Sequence, residues 1–195
     1  MIRHDCEQGS MEWYRIKLGV PSASNFHKII TPGGKASTQA AAYMYRLIAE
    51  KLLLESMDSD INTEWVQRGR EQEPYAAAQF EFAENVELER VGFVTDDKRR
   101  LGCSPDRLIK GRNESLEVKC PSPWVQIGYL LDGPGTDYKP QVQGQLMIGE
   151  FDSVHFYAFH PRMPAFHRIT HRDQTFMKTM VPLLDQFLET LQRET

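Results

Sequence analysis

Asp106, Glu117 and Lys119 are the residues of this sequence best placed to do chemistry, in the stretch PDRLIKGRNESLEVK (residues 105–119). In an extended strand, side chains alternate faces. Glu117 and Lys119 then share one side, while Leu116, Val118 and Cys120 point the other way into a core. A hairpin turning near Gly111-Arg112-Asn113 brings Asp106 opposite that pair. Two close carboxylates repel each other unless a cation lies between them, and oxygen ligands suit a hard ion such as Mg²⁺. The pattern predicts a metal-dependent hydrolytic centre. Its bland alternative is a solvated strand face with an ion pair, which contributes little energy, so the rest of the chain has to decide.

Three other groups carry potential chemistry. Arg15 and Lys17 precede Ser22-Ala23-Ser24, where free N–H groups, hydroxyls and an ammonium can converge on an anion. An ordinary helix cap is the simpler reading. Glu73 closes the run RGREQE (68–73) on a helical stretch, so a carboxylate can face the acidic pocket while arginines reach phosphate. A solvated charged face is the default there. Gln141 and Gln145 lie four apart in YKPQVQGQ (138–145) and share a helix face, which suits hydrogen bonding to DNA or to a site water, or merely surface filling. Four histidines also invite a metal reading. Strand alternation sets His155 and His160 on opposite faces, which disfavours it, whereas His167 and His171 share one.

Composition bounds these readings. At 195 residues the chain fits one domain, 1–195, with a sizeable core. Its 41% hydrophobic and 26% charged residues are ordinary for a soluble globular protein. No run of about 18 apolar residues is present to span a membrane, and the polar start MIRHDCEQGS lacks a signal-peptide core. Cys6, Cys103 and Cys120, without CxxC spacing, read as free thiols of a reducing cytoplasm. The net charge of −4 argues against indiscriminate nucleic-acid binding, though a local basic path beside an acidic pocket is compatible with it. Arg15 with Lys17, Arg68 with Arg70, and Lys98-Arg99-Arg100 are the basic clusters on offer.

The elements that must position these groups are legible in outline. Ser22 to Ser24 caps a short helix carrying Phe26, Ile29 and Ile30, ended by Thr31-Pro32-Gly33-Gly34. A long helix spans about Thr38 to Met57, with Leu47, Ile48, Leu52 and Leu53 at helical spacing. A second covers about Thr63 to Asn85, kinked or restarted at Pro74. Strands are expected at about 87–95, 101–109 and 115–120. Ser122-Pro123 starts a helix that fades at Asp132-Gly133-Pro134, and Asp137 caps another to about Gly149. Two more strands, 153–159 and 165–170, precede a terminal helix opened by Asp173, bent at Pro182 and ending near Arg193. The expected class is α/β or α+β, a central mixed sheet of about five strands flanked by helices. Trp124 and Leu130-Leu131 suit either the core or a partner-facing surface.

Taken in order, Trp13 with LGVPSAS (18–24), RGREQE, SPDRL (104–108), LEVKCP (116–121) and YKPQVQGQL (138–146) resemble the lambda-exonuclease, YqaJ-type branch of the PD-(D/E)xK nuclease superfamily. These are phage alkaline exonucleases of recombination, and the likeness runs from Trp13 to Phe159. It implies that Asp106, Glu117 and the backbone carbonyl of Val118 hold the catalytic metals, with Glu73 completing the pocket. Two Mg²⁺ per site are expected, with Mn²⁺ as a substitute. Lys119 would orient or help deprotonate the attacking water, Gln141 would support it, and Tyr138 would lie beside the site. Lys17, Ser24 and Ser104 would grip the 5′-phosphate of the digested strand. Two positions depart from the family pattern. Lys17 replaces an arginine and lacks its bidentate fork, and Arg107 follows Asp106 where glycine is common, adding a DNA contact or closing down the pocket.

The resemblance further implies 5′–3′ digestion of one strand of duplex DNA to mononucleotides, leaving 3′ overhangs. It implies a ring-shaped homotrimer around DNA with a free 5′ end, a single-strand annealing protein as partner, and a phage or prophage enzyme in a bacterial cytoplasm. The rivals are a structure- or sequence-specific endonuclease on the same fold and a non-catalytic DNA-binding or annealing module. Intact Asp106, Glu117 and Lys119 argue against the latter.

Overall fold

The computed structural model describes residues 1–57 and 64–195; the expected helix start at Thr63 lies outside the described residues. The chain opens with β1 (Ile2–His4), α1 (Met11–Lys17) and a 3₁₀ helix (Ala23–Lys28), followed by α2 (Ala40–Leu53) and α3 (Glu64–Glu84). Four short strands come next: β2 (Leu88–Glu89), β3 (Phe93–Thr95), β4 (Gly102–Cys103) and β5 (Arg107–Ile109). The chain continues through β6 (Glu114–Lys119), α4 (Pro123–Asp132), α5 (Lys139–Ile148), β7 (Ser153–Ala158), β8 (Phe166–Thr170) and α6 (Gln174–Arg193).

The five-stranded sheet that the sequence predicts is present, in the order β2-β5-β6-β7-β8. It is mixed, because β6 and β7 run parallel while the other pairs are antiparallel. The expected strands at 87–95 and 101–109 are not continuous. Each divides between the main sheet and a three-stranded sheet, β1-β3-β4, that the sequence did not reveal. Two local features account for the breaks. Pro105 cannot donate to a ladder. Gly92 lies so close to the N-terminal segment that a Cβ there would meet the Cys6 carbonyl oxygen at 2.2 Å.

β6 is buried on both faces, as expected of a central strand beside a parallel neighbour. Leu116 and Val118 pack with Ala76 and Phe80 of α3 and with Tyr157. The opposite face belongs to the larger core, where Leu108, Val154 and Phe156 meet Val142 and Leu146 of α5 and Met180 and Leu184 of α6. Glu117 alternates with Leu116 and Val118 and therefore points into this second, largely apolar layer. Its polar neighbours come from α5 and from Lys119 on its own strand. That helix is pulled in close at Gly144, where a Cβ would meet the Phe26 ring at 2.6 Å.

The helix ends refine the sequence reading. α1 was not anticipated; Ser10 caps it by accepting from the Trp13 N–H at 3.2 Å. α2 is shorter than expected and stops where Leu54 adopts a left-handed backbone. Leu47 of α2 is buried, but Leu52 is 73% exposed and Leu53 is also exposed, so the apolar stripe does not reach the helix end. Ser22 holds the cap position of the 3₁₀ helix without a side-chain cap bond. Asp137 does not cap α5; Tyr138 takes that place and Pro140 fills the first turn. Asp173 does cap α6, accepting from the Phe176 N–H at 3.0 Å. Pro74 and Pro182 lie within the continuous helices α3 and α6. Among the described residues, no helix is long and apolar enough to cross a membrane.

Candidate active site

The β5–β6 hairpin aligns Arg107 with Leu116, which sets Asp106 opposite Glu117. The Asp106 N–H donates to the Leu116 carbonyl at 3.1 Å, and the Val118 N–H donates back to Asp106 Oδ2 at 2.6 Å. Asp106 is thus fixed across the strand pair from both its backbone and its side chain. Glu117 is only 3% exposed. Its Oε1 accepts from Lys119 Nζ at 2.5 Å and from Gln141 Nε2 at 2.6 Å, and its Oε2 accepts from Gln145 Nε2 at 2.5 Å. Lys119 also lies 5.0 Å from the Tyr138 ring centre, and the Tyr138 hydroxyl pairs with that of Tyr129 at 3.0 Å. Asp106, Glu117, Lys119, Gln141 and Tyr138 are therefore brought together. Gln145 is an addition: its spacing from Gln141 showed a shared face, but only the packing of α5 onto β6 shows that both amides end on one carboxylate.

Burial is the main cause that pushes the Asp106 carboxyl well above its usual range. The Glu117 charge adds to this and Glu73 contributes, while Lys119 and the Val118 N–H work in the opposite direction. At Lys119, burial works to lower the pKa, but the Glu117 and Asp106 carboxylates outweigh it and hold the ammonium above its usual value. The set suits a hard divalent ion, since its donors are oxygens and two buried carboxyls share too little positive charge. Among the described residues, no three carboxylate, histidine or cysteine side chains are already gathered as a metal cluster. Glu73 lies at the edge of the site, where its Oε1 accepts from Arg107 Nη1 at 2.7 Å.

The residues suggested for a 5′-phosphate are organised by Trp13. Its indole N–H donates to the Gly92 carbonyl at 3.0 Å and to Ser104 Oγ at 3.1 Å, and Lys17 Nζ lies 3.6 Å from its ring centre. Lys17 and Ser104 thus border one aromatic ring. Ser24 lies on the neighbouring 3₁₀ helix, exposed, with its hydroxyl 3.1 Å from that of Ser22. Ser22 is bridged to Gly102 of β4, which leads directly to Ser104. Gln8 braces the same loop by donating to the carbonyls of Val91 and Pro105, each at 2.9 Å. A cavity of about 540 Å³ opens beside Asp106 and is lined by Gln8, Arg70, Glu73, Arg90 and Arg107 among others. The Lys98-Arg99-Arg100 cluster lines a separate cavity with Lys51, Asp185 and Glu189, away from the paired carboxyls.

Among the described residues, His155, His160, His167 and His171 are not gathered at one point. His155 Nδ1 and His167 Nε2 share a hydrogen bond of 3.0 Å across β7 and β8. Their outer nitrogens are taken by Glu114 at 3.0 Å and Glu84 at 3.2 Å. His160 lies beyond β7 and accepts from the Arg162 N–H at 3.3 Å, and His171 contacts the Asp152 carbonyl at 3.1 Å.

The sequence model of the YqaJ-like viral recombinase domain matches residues 12–152, which include every member of this site. The chain belongs to that family. Like this YqaJ-family chain in fold is an alkaline exonuclease from Laribacter hongkongensis, with a TM-score of 0.84 at 27% identity over 95% of this chain and 94% of that one. The same enzyme in complex with dAMP gives 0.84 at 28% identity over the same shares. A phage-related exonuclease from Haemophilus somnus 129PT shares the fold at 16% identity, with a TM-score of 0.65 over 90% of this chain and 96% of that one. Comparison with curated protein sequences gave no significant match.

Proposed function

We propose that this YqaJ-family chain, a nuclease acting on DNA, is a Mg²⁺-dependent 5′–3′ exonuclease. It digests one strand of a duplex to mononucleotides and leaves a 3′ single-stranded overhang for recombination by strand annealing. The observation that carries this reading is the convergence of Asp106, Glu117 and Lys119, with Glu117 held by three donors inside the core. The likeness to an alkaline exonuclease supports the exonuclease reading, and a dAMP complex of that same enzyme accords with mononucleotide release.

Asp106, Glu117 and the Val118 carbonyl would hold the metal, with Glu73 available to a second ion, in the manner of the PD-(D/E)xK nucleases. Mg²⁺, or Mn²⁺ in its place, supplies Lewis acidity and makes water a nucleophile near neutral pH. Gln141 and Gln145 keep Glu117 from turning. Lys119 remains an ammonium and stabilises the charge that develops on the phosphate oxygens. Tyr138 presents its ring to that ammonium at 5.0 Å. Lys17, Ser104 and Ser24 would bind the terminal 5′-phosphate, with Lys17 acting as a point charge without an arginine fork. Arg107, next to Asp106, would add a contact to the DNA. A homotrimeric ring around duplex DNA, a single-strand annealing partner and the cytoplasm of a bacterial host go with this reading, as does a single domain spanning 1–195.

Two measurements test it. Lys119→Ala should keep DNA binding and lose nearly all Mg²⁺-dependent digestion of linear duplex; undiminished digestion overturns the site. Covalently closed circular DNA should remain intact while the same DNA, linearised, is consumed. Cutting of the closed circle would replace the exonuclease reading with an endonuclease on the same fold.

A further inference from the structure

Arg107 does something that the proposed roles above do not include. It is the first residue of β5 and is paired with Leu116, so it faces α3 while Asp106, one residue earlier, reaches across to β6. Its side chain is only 11% exposed. One nitrogen, Nη1, donates both to Glu73 Oε1, at 2.7 Å, and to the carbonyl of Asp106. The chain thus supplies its own cation to the third acid of the site. A guanidinium and a divalent ion satisfy a carboxylate in the same way, and near each other they repel. The same guanidinium borders the cavity of about 540 Å³ beside Asp106, which also presents Arg70 and Arg90. An arginine there can exchange a carboxylate for a phosphate with little loss, because both accept from its planar donors in similar geometry.

We propose that Arg107 is a positioning residue that couples DNA to metal at this site. In the DNA-free protein it holds Glu73, so that only the position between Asp106 and Glu117 takes a divalent ion. When a backbone phosphate enters the cavity and takes the guanidinium, Glu73 is released to a second ion. The active site then completes itself only on substrate. This rests on the metal-dependent reading of the site.

Mn²⁺ binding to the full chain, counted by electron paramagnetic resonance and calorimetry, separates the two ideas. Without DNA, the natural chain should bind one ion per chain well before a second. Arg107→Ala should tighten the second ion about tenfold, the size expected for removing one charge-assisted hydrogen bond that competes for Glu73. Combining it with Glu73→Gln should abolish that gain. A short 5′-phosphorylated duplex with cleavage-resistant phosphorothioate links should tighten the second ion in the natural chain and leave Arg107→Ala unchanged. Arg107→Lys, which keeps the charge but not the fork, checks folding and should give intermediate values. Identical ion counts and affinities for the natural chain and Arg107→Ala overturn the role of Arg107 alone. No Mn²⁺ bound by any of these proteins would overturn the metal reading, and this proposal with it.

Discussion

Two polar networks lie on opposite faces of the same sheet, and their charge balance differs. On the α3 side, Glu114, His155, His167 and Glu84 form one chain of contacts at 3.0–3.2 Å, enclosed by aromatic rings. Phe80 packs edge-on against both imidazoles and Tyr157. Every ring nitrogen has a partner, and burial lowers His167 even with Glu84 beside it. On the α5 side, Glu117 has three donors, yet Asp106 remains strained electrostatically, raised by its own burial and by its neighbours' charge. Buried polar groups that satisfy one another stabilise a fold. A buried acid raised by desolvation and a neighbouring like charge, beside a cavity, is the pattern of a functional site.

The contrast can be broken by substitution. The largest effect is expected for Asp106→Asn, which should lower digestion of linear duplex by about 10³-fold or more, the scale of losing a central electrostatic group. The same change should raise the melting temperature at pH 8 by roughly 2–4 °C, since it removes a carboxylate that the folded protein disfavours. A fall in melting temperature would mean that Asp106 is a structural group after all. His155→Ala should do the reverse. Leaving Glu114 and His167 without their shared partner should cost about 1–3 kcal/mol in denaturant unfolding, with rates per folded molecule close to normal.

A subtler difference concerns pH. The folded protein holds a proton on Asp106 above the pH at which the unfolded chain releases it, so stability should fall as pH rises from about 4 through the raised value. A divalent ion removes that penalty only once Asp106 is ionised. The Mg²⁺-induced rise in melting temperature should therefore be larger at pH 8 than at pH 5, and equal rises would separate the ion from Asp106. The smallest effect is expected for Gln145→Leu. Glu117 would lose the donor to Oε2 but keep Lys119 and Gln141, and activity should drop about tenfold, one charge-assisted hydrogen bond's worth.

The convergence of Asp106, Glu117 and Lys119 on the candidate-site side of this contrast was largely readable from the sequence, because its logic is local. Period-two alternation sets Glu117 and Lys119 on one face, and the Gly111 turn returns Asp106 beside them, so one hairpin brings the three together. The five-stranded sheet and most helices followed from similarly short patterns. The histidine network did not, because the meeting of His155 with His167 depends on the register of β7 against β8, in which Tyr157 lies opposite His167. Gln145 and the Arg107–Glu73 pair likewise depend on how α5 and α3 dock. The second sheet was invisible for the same reason: β1 finds β3 across some ninety residues of chain, and strands of two or three residues leave no periodicity to detect.

Trp13 joins two members of the proposed phosphate site through a single ring, with Lys17 over its face and Ser104 at its N–H. Ser104 is two residues from Asp106, so an occupant at the phosphate end alters the surroundings of an indole that is wired to the loop bearing the first acid. Indole emission responds to a nearby cation and to its own hydrogen bond. The chain therefore carries an intrinsic optical reporter, and stopped-flow fluorescence with 5′-phosphorylated and 5′-hydroxyl duplexes should time the seating of the DNA end before any nucleotide is released.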